Sequence, residues 1–364
     1  MSSLYRPDDP LEMQRSQAMH RDLMQAARHY LQEDATHRFA DRTAHLKAIF
    51  LLMACIMAYV YLIFSSQALH VGIALIVTHI FGMALCINVF HDAAHGVIFR
   101  SKRANAWAAR ACGMILGIDA DCWRTRHVLF HHATPNVEHL DLDISENGVF
   151  RQTPYQQWKP HMRWQHLFWP VIAAISLPYV AWVLDWQDKT NKNAVARFKI
   201  LQGQQGWAIF FGTKLMHLVL MLGVPILIAL HHGFPIWQMF IAYVLGQLIA
   251  SMGVVILVLG THWVEPDFYM PRQDGSINAS WYSLCFTTAC DCKTTPAWFG
   301  YWLGGLNMHL THHLFPGWHH RHYTVLAELL KQYAIKHQYH YRCVTYSELW
   351  KAQQTFLKKM GKPK

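Results

Sequence analysis

The sequence predicts an all-α integral membrane protein with four transmembrane helices in two hairpins, additional interfacial helices and a cytoplasmic helical cap. Only 15% of its 364 residues are charged, whereas 53% are hydrophobic and 13% are aromatic. The apolar residues form long blocks, four of which approach or exceed the ~20 residues that a helix needs to cross a ~30 Å hydrocarbon core. Histidines form three short clusters outside these blocks. This composition is typical of a membrane protein with a polar functional region.

The four apolar blocks occur in two pairs. Blocks 48–64 and 69–90 are separated by the uncharged "SSQAL", and blocks 207–230 and 236–260 are joined by "HHGFP". Each pair is predicted to form a transmembrane hairpin. Two further apolar stretches, 107–118 and 167–184, are predicted to be too short, or too interrupted by Pro170 and Pro178, to span the bilayer. We expect them to be interfacial helices.

The distribution of basic residues predicts the orientation. Neither hairpin loop contains a lysine or arginine, and the other segments hold all 32. The positive-inside rule therefore places both termini and the long middle region in the cytoplasm. The net charge of +10 suits contact with an anionic leaflet of the lipid bilayer. The basic residues match no nucleic-acid-binding motif, so no nucleic-acid partner is expected.

The chain is predicted to be a single domain, residues 1–364. A cytoplasmic, amphipathic lead-in covers residues 1–45, a membrane core that includes the histidine clusters covers 46–345, and a basic C-terminal tail covers 346–364.

The three histidine clusters are "HDAAH" (91–95), "HVLFHH" (127–132) and "HLTHH" (309–313), all on the predicted cytoplasmic side. On a helix, histidines at i and i+4 share one face with Cβ atoms about 5–6 Å apart. Eight imidazoles are too many for one metal ion but suit two. Iron, copper and zinc all accept imidazole, so ligand type alone leaves the metal open. The candidate ligands are His91, His95, His127, His131, His132, His309, His312 and His313.

Other kinds of metal protein fit less well. A soluble di-iron protein would carry Glu-x-x-His pairs, which are absent. A zinc protease would need glutamate where Asp92 stands. A metal transporter would place polar residues near the bilayer midplane, whereas the clusters lie beyond the ends of the predicted spans.

With the three clusters in place, residues 45–345 resemble the membrane fatty acid desaturases, an integral-membrane di-iron family. The segment "GGLNMHLTHHLFPGWHHRHY" (304–323) is similar to the third histidine box of front-end and linoleoyl-CoA-type desaturases, and "HHATPNVEHLDLD" (131–143) is similar to the segment after their second box. The resemblance implies two iron ions held by the boxes and O2 as co-substrate. Two hydrogens would be removed from adjacent carbons of a fatty acyl-CoA or acyl lipid while two water molecules form.

The chain departs from the front-end pattern in two places. His309 stands where front-end enzymes usually carry glutamine, and the fused haem domain with its His-Pro-Gly-Gly signature is absent. Electrons are therefore expected from a separate ferredoxin-, rubredoxin- or cytochrome b-type carrier with its reductase, and a bacterial inner membrane is the expected location. A hydroxylase, acetylenase, epoxygenase or carotenoid oxygenase shares the three boxes and is the alternative. The mass of the product separates these activities from desaturation.

The family also implies residues outside the boxes. Relatives commonly add a ninth histidine, for which His262, His139 and the 319–322 group are candidates. His262 is favoured because it follows the fourth predicted span, and a rigid helix positions a ligand better than a loop. Asn307 either holds a metal-bound water, as an asparagine does in some relatives, or caps the third-box helix. Four further residues are predicted to hold ring N–H groups or waters, or to cap loops: Asp92, Asn136, Asp141 and Asp143.

Overall fold

The computed structural model describes residues 4–190, 192, 195, 198 and 202–363. These residues are mostly helical. The α-helices are α1 Pro10–Tyr30, α2 Arg42–Phe64, α3 Ala68–Leu85, α4 His91–Ala94, α5 Lys102–Leu116, α6 Ala120–Arg124, α7 Gln165–Tyr179, α8 Asp185–Lys189, α9 Gly203–Leu218, α10 Val224–His232, α11 Ile236–Val258, α12 Trp281–Thr288, α13 Ala297–Trp302, α14 His309–Leu314, α15 Tyr323–Lys336 and α16 Tyr346–Met360. Two short strands, β1 Asp291–Lys293 and β2 Cys343–Thr345, pair in parallel.

Shorter helical segments connect or extend several of these elements. The π-helical segments are Cys86–Phe90, Thr125–His131, Val180–Leu184 and Val219–Gly223. The 3-10 helices are Ala35–Arg38, Leu142–Ile144, Pro160–Trp164, Leu259–His262 and His320–His322.

The chain forms two compact units built from alternating segments. The hairpin unit consists of Ala40–Thr125 and Pro170–Ile256, and the histidine unit consists of Met1–Phe39, Arg126–Trp169 and Leu257–Lys364. The single domain with internal boundaries at 45 and 345 stays a prediction.

All four apolar blocks predicted to span the bilayer are helical in the structure. They belong to the helical runs Ala35–Phe64, Ala68–Ala94, Gly203–His232 and Ile236–His262. The first hairpin begins where the Asp41 side chain accepts a hydrogen bond from the Ala44 N–H at 2.9 Å. Outward-facing apolar side chains such as Phe64 and Leu227 remain exposed, which suits contact with lipid. An integral membrane protein accounts for these helices.

The structure corrects one part of the prediction for residues 167–184, namely that prolines interrupt the helix. Pro170 and Pro178 do not break the helix, because α7 continues through both, and the helical run Pro160–Lys189 is a fifth candidate span by length and composition. The Leu177 N–H donates to the Ser251 hydroxyl at 2.9 Å, and this hydroxyl donates to the Ala173 carbonyl at 2.6 Å. Ser251 thus bridges backbone groups beside Pro178, which cannot itself donate to the helix.

The histidine unit has its own apolar core. In this core, α1 contributes Met19 and Leu23, which belong to one buried cluster with Phe286 of α12 and Leu326 of α15. The segment predicted as a basic tail contains α16, whose buried face includes Phe356. The cluster that contains Met19 and Leu23 also includes Leu310 and Leu314 of α14, the helix that carries the third histidine box.

Candidate metal centre

The third histidine box lies on α14, a buried helix of six residues. The first N–H groups of a helix have no hydrogen-bond acceptor within the helix. In α14, a residue that is distant in sequence accepts a hydrogen bond from one of these N–H groups. The buried Asp291 carboxylate accepts hydrogen bonds from the Thr311 N–H at 3.0 Å and the Thr311 hydroxyl at 2.6 Å. Tyr341 donates to the same carboxylate at 2.9 Å. Asp291 therefore fixes the backbone between the box histidines.

Asn307 does not cap this helix, so the capping alternative is wrong. The N-cap position is occupied by Met308, which makes no side-chain capping bond. The Asn307 side-chain amide instead donates to the Cys292 carbonyl at 2.9 Å, and the main-chain carbonyl of Asn307 accepts from the Cys292 N–H at 2.7 Å. The residue ties the entrance of the third box to β1.

The second box lies on a π-helix, not on the α-helix that its i, i+4 spacing suggested. The His132 N–H donates to the His127 carbonyl at 2.9 Å, which is an i to i−5 bond. The wider turn brings the Nε2 atoms of His127 and His132 to 3.1 Å, while the rings of His127 and His131 stack at 5.3 Å. Single π-turns occur frequently at functional sites.

Four buried histidines from three separate segments meet in the histidine unit. They are His131 of the second box, His309 and His313 of the third, and His262 at the end of the 3-10 turn after α11, and their ligand nitrogens lie within 4.8 Å of one another. The His262 Nε2 atom is 2.8 Å from His309 Nε2 and 3.3 Å from His313 Nε2. Around an ion with bonds of about 2.1 Å, neighbouring nitrogens lie about 3.0–3.4 Å apart. The cluster therefore fits one transition-metal ion.

Hydrogen bonds at the outer nitrogens orient two of these rings. His131 Nδ1 lies 3.1 Å from each oxygen of the buried Asp141, and His262 Nδ1 lies 2.8 Å from the Thr288 carbonyl oxygen. Burial by itself would lower the pKa of His131, but the carboxylates of Asp141 and Asp143 outweigh it and raise the pKa to about 9. A carboxylate in this position increases the basicity of the imidazole as a ligand.

His313 has the opposite electrostatic surroundings. Burial, followed by the neighbouring His309, lowers the pKa of His313 well below its usual value. Its imidazole is thereby kept neutral, which is the form that binds metal.

The remaining box histidines lie in both units. In the histidine unit, the rings of His132 and His312 are 4.5 Å apart, and His312 Nδ1 lies 2.8 Å from the Tyr323 hydroxyl. In the hairpin unit, the rings of His91 and His95 are 4.9 Å apart, as their i, i+4 spacing predicted. His91 Nδ1 lies 3.3 Å from the Asp92 carboxylate.

Asn136 and Asp143, which were also predicted to support the imidazoles, make other contacts than Asp141 does. The Asn136 side chain donates to the Asp267 carbonyl at 3.3 Å, and its main-chain N–H donates to Asp141 at 2.9 Å. Asn136 therefore supports the carboxylate and not an imidazole. Asp143 is partly exposed, and its carboxylate lies 3.6 Å from His131 Nδ1 and 3.9 Å from His127 Nδ1.

The other candidates for a ninth ligand are not members of the four-histidine cluster. His139 has a left-handed backbone, with φ of 64°. Both nitrogens of His322 are engaged, Nδ1 at 3.0 Å from the Tyr30 hydroxyl and Nε2 at 2.8 Å from the His37 carbonyl oxygen. The structure thus places His262, and none of these residues, in the four-histidine cluster.

Sequence reasoning missed Asp291 and Tyr323. Burial raises the pKa of Asp291 to about 6, although hydrogen bonds from Thr311 and Tyr341 oppose this shift. The available signal was an aspartate directly between two cysteines in "TTACDCK", since a carboxylate that is buried with such neighbours needs hydrogen-bond donors. Nothing in the spacing identified Thr311 as that donor.

The long apolar helices and the imidazole cluster define a class, that of integral membrane proteins with a nitrogen-rich site for a transition metal. The sequence pattern of the fatty acid desaturase family matches residues 65–345, which is more than half of the chain, and the chain therefore belongs to this family. It is a fatty acid desaturase, an oxidoreductase acting on paired donors, and its family is known for the use of iron.

Individual relatives agree with this assignment. The chain is 25% identical to the sn-1 linoleoyl-lipid 6-desaturase of Synechocystis sp. over 342 residues, which cover 92% of each protein. It is 26% identical to the acyl-lipid (8-3)-desaturase of Physcomitrium patens over 87% of this chain and 66% of that protein. It is 27% identical to fatty acid desaturase 3 of Bos taurus over 68% of this chain and 52% of that protein. The predicted family and its front-end type are confirmed.

Proposed function

We propose that the chain inserts a double bond into the acyl chain of a membrane lipid at a di-iron centre, with O2 as co-substrate. The four-histidine cluster of His131, His262, His309 and His313 is the observation that carries the proposal. The name of the Synechocystis relative, a linoleoyl-lipid desaturase with 92% coverage of both proteins, favours a lipid-bound acyl chain over an acyl-CoA.

The proposed ligand set comprises nine histidines. The four clustered histidines would hold one iron, and His91, His95, His127, His132 and His312 complete the set. Asn307 is proposed to hold a water on the metal. When bound, the iron pair supplies the activation of O2 that removes two hydrogens from adjacent carbons.

The residues of the chain position this chemistry and exclude water from it. The box histidines other than the half-buried His95 are buried. Asp141 and Tyr323 fix ring orientation by hydrogen bonds to His131 and His312, and Asp291 fixes the backbone between the third-box histidines through Thr311. Catalysis at a redox cofactor depends on such orientation and on exclusion of competing reactions.

The reaction balances with an external reductant. Reduction of O2 to two water molecules takes four electrons and four protons. The acyl –CH2–CH2– unit supplies two of each as it becomes –CH=CH–. We propose that a ferredoxin-, rubredoxin- or cytochrome b-type carrier supplies the other two electrons, while solvent supplies two protons.

The packing of the histidine unit supports the proposed four-span topology. Tyr5, Val137 and Ile277 share one buried cluster, so residues 1–39, 126–169 and 257–364 belong to one folded body. A folded body outside the bilayer lies on one side of it, so the chain crosses an even number of times between 39 and 126, and again between 169 and 257. Three candidate spans lie wholly or mostly within the second interval, namely Pro160–Lys189, Gly203–His232 and Ile236–His262. One of them therefore does not cross.

We assign this role to Pro160–Lys189, which ends in the charged Asp185, Asp188 and Lys189. Both termini and the histidine unit would then lie on the cytoplasmic face, in a bacterial inner membrane. Impermeant thiol labelling of Gln67→Cys and Gly233→Cys should occur from the side opposite to Asp274→Cys. The native cysteines are buried or partly buried, which limits background labelling. Ser2 and Lys364, predicted on the cytoplasmic side, lie outside the described residues.

Expression in a host of known lipid composition tests the activity. We expect new double bonds in fatty acids released from glycerolipids, each with a mass lower by two hydrogens, and two irons per purified chain. The matched His313→Ala variant should produce none. Products that gain an oxygen would show that the chain catalyses hydroxylation or epoxidation and not desaturation. New double bonds found only in acyl-CoA would contradict the proposed lipid substrate.

A further inference from the structure

The histidine unit contains a cavity whose charged lining is entirely basic. The cavity has a volume of about 410 Å³ and lies between the start of α7 and the end of α16. Its lining includes Trp158, Arg163, His166, Lys358 and Lys362, and no acidic residue. We call it the basic cavity. It is separate from the histidine boxes, because none of their residues lines it.

Hydrogen bonds to the end of α16 hold the walls of the basic cavity in place. The Trp158 indole donates to the Gly361 carbonyl at 2.8 Å, and the Arg151 guanidinium donates to the Lys362 carbonyl at 3.1 Å. The Gly361 and Lys362 carbonyls directly follow the last turn of α16, and these two side chains supply their hydrogen-bond donors. The cavity therefore has fixed walls.

The end of α16 packs closely against residues 162–163, and this packing requires a glycine at position 361. A Cβ atom at Gly361 would lie 2.7 Å from the Met162 carbonyl oxygen. This distance is shorter than any normal contact, so a side chain there would push the end of α16 away from the wall that carries Arg163.

The positive charges of the basic cavity have no acidic partner among the residues that the structure describes. Within the part of the chain that the structure describes, Arg163, Lys358 and Lys362 form no ion pair with a carboxylate. By contrast, Lys336 of α15 lies 2.6 Å from the Asp22 carboxylate. Three cations around one cavity without an acidic partner favour the binding of an anion, and arginine and lysine are the usual ligands of phosphate.

The surroundings of the cavity indicate where this phosphate comes from. Trp164 and Leu167, next to the lining residues in sequence, are 57% and 63% exposed. They begin the apolar helical run Pro160–Lys189. Exposed tryptophan beside basic residues at the start of an apolar helix is typical of the headgroup level of a bilayer. A free phosphate compound would leave these apolar side chains unused.

We propose that the basic cavity binds the phosphate of an anionic membrane lipid, with Arg163, Lys358 and Lys362 as its ligands and Trp164 and Leu167 against the acyl chains. This site is distinct from the site of desaturation, and its occupancy does not depend on iron.

Native mass spectrometry of the purified full-length chain tests the proposal, with phosphatidylglycerol and phosphatidylcholine as probes. The triple variant Arg163→Gln, Lys358→Gln, Lys362→Gln should bind phosphatidylglycerol about tenfold or more weakly than the wild type, because three charge-assisted contacts are lost. The matched variant Lys331→Gln, Lys351→Gln, Lys359→Gln loses the same charge from exposed positions outside the cavity. It should change binding less than about twofold.

The other outcomes are also decisive. The conservative triple variant Arg163→Lys, Lys358→Arg, Lys362→Arg should keep phosphatidylglycerol bound, which would show that binding depends on positive charge at these positions, and an unchanged thermal transition of the Gln variant in detergent would exclude misfolding as the cause of its loss. Equal weakening in both Gln triple variants would mean general charge attraction and would overturn the proposal, as would unchanged binding in the cavity variant. Displacement of phosphatidylglycerol by millimolar inorganic pyrophosphate would assign the cavity to a soluble phosphate compound and overturn the lipid assignment.

Discussion

The second and third histidine boxes both contribute to the four-histidine cluster, but their rings are held by different means. In the second box, the Asp141 carboxylate contacts the His131 ring directly, at 3.1 Å from Nδ1. In the third box, the Asp291 carboxylate instead accepts hydrogen bonds from the backbone N–H and the hydroxyl of Thr311. One carboxylate therefore acts on the basicity and orientation of a ring, and the other acts on the position of a helix. Variants of these residues can separate the two effects.

The largest expected effect comes from the box histidines themselves. Desaturation should fall by more than about 100-fold, and bound iron should decrease, in each of the variants His131→Ala, His313→Ala and His95→Ala. Loss of a metal ligand should reduce activity more than the 10–100-fold that is typical for loss of a residue that supports a ligand. Each variant should remain inserted in the membrane. Product analysis and metal analysis are the measurements, with exposed His340→Ala as the control. A box variant that keeps half of the wild-type activity would remove that residue from the site.

His262 tests whether the cluster extends beyond the boxes. His262→Ala should lose iron and turnover nearly as severely as a box variant, because its Nε2 atom lies 2.8 Å from that of His309. His139→Ala and His319→Ala should keep both within about threefold of the wild type. If His262→Ala retains iron and activity while His139→Ala loses them, the ninth ligand is His139.

Asp141→Asn tests the direct support of the second box. The amide cannot supply the charge that raises the pKa of His131, so iron affinity should fall about 10- to 100-fold. Asp143→Asn is the matched control and should have a smaller effect, since Asp143 is partly exposed and its carboxylate lies 3.6 Å from the same ring nitrogen. Competition with a chelator measures the affinity. Equal losses in the two variants would show that total negative charge, and not contact with the ring, is what matters.

Asp291→Asn should have the smallest effect on the metal. The amide oxygen still accepts the Thr311 N–H, so we expect a loss of iron affinity below tenfold, with about 1–3 kcal/mol of destabilisation from the disturbed buried network. Thr311→Val, which keeps the N–H, should show a similar thermal shift in detergent. A loss of iron as large as that of Asp141→Asn, at unchanged stability, would mean that Asp291 acts on the metal site directly.

The sequence alone determined the membrane class, the four apolar helices and the identity of the box histidines, because hydropathy and i, i+4 spacing are local properties of the chain. It also selected His262, since the end of an apolar helix is a fixed position. It did not determine that the second box is π-helical, which brings the Nε2 atoms of His127 and His132 together. It also did not determine that α7 continues through Pro178, where Ser251 of another helix bridges neighbouring backbone groups.

Only the tertiary structure decided which polar partner supports each ring and helix. Asp291 lies 20 positions before Thr311, and Tyr323 lies 11 positions after His312. Hydrogen bonds of this kind depend on distances of about 3 Å between atoms of separate segments. Sequence spacing fixes such distances within a helix, but between segments they are set by how the elements pack.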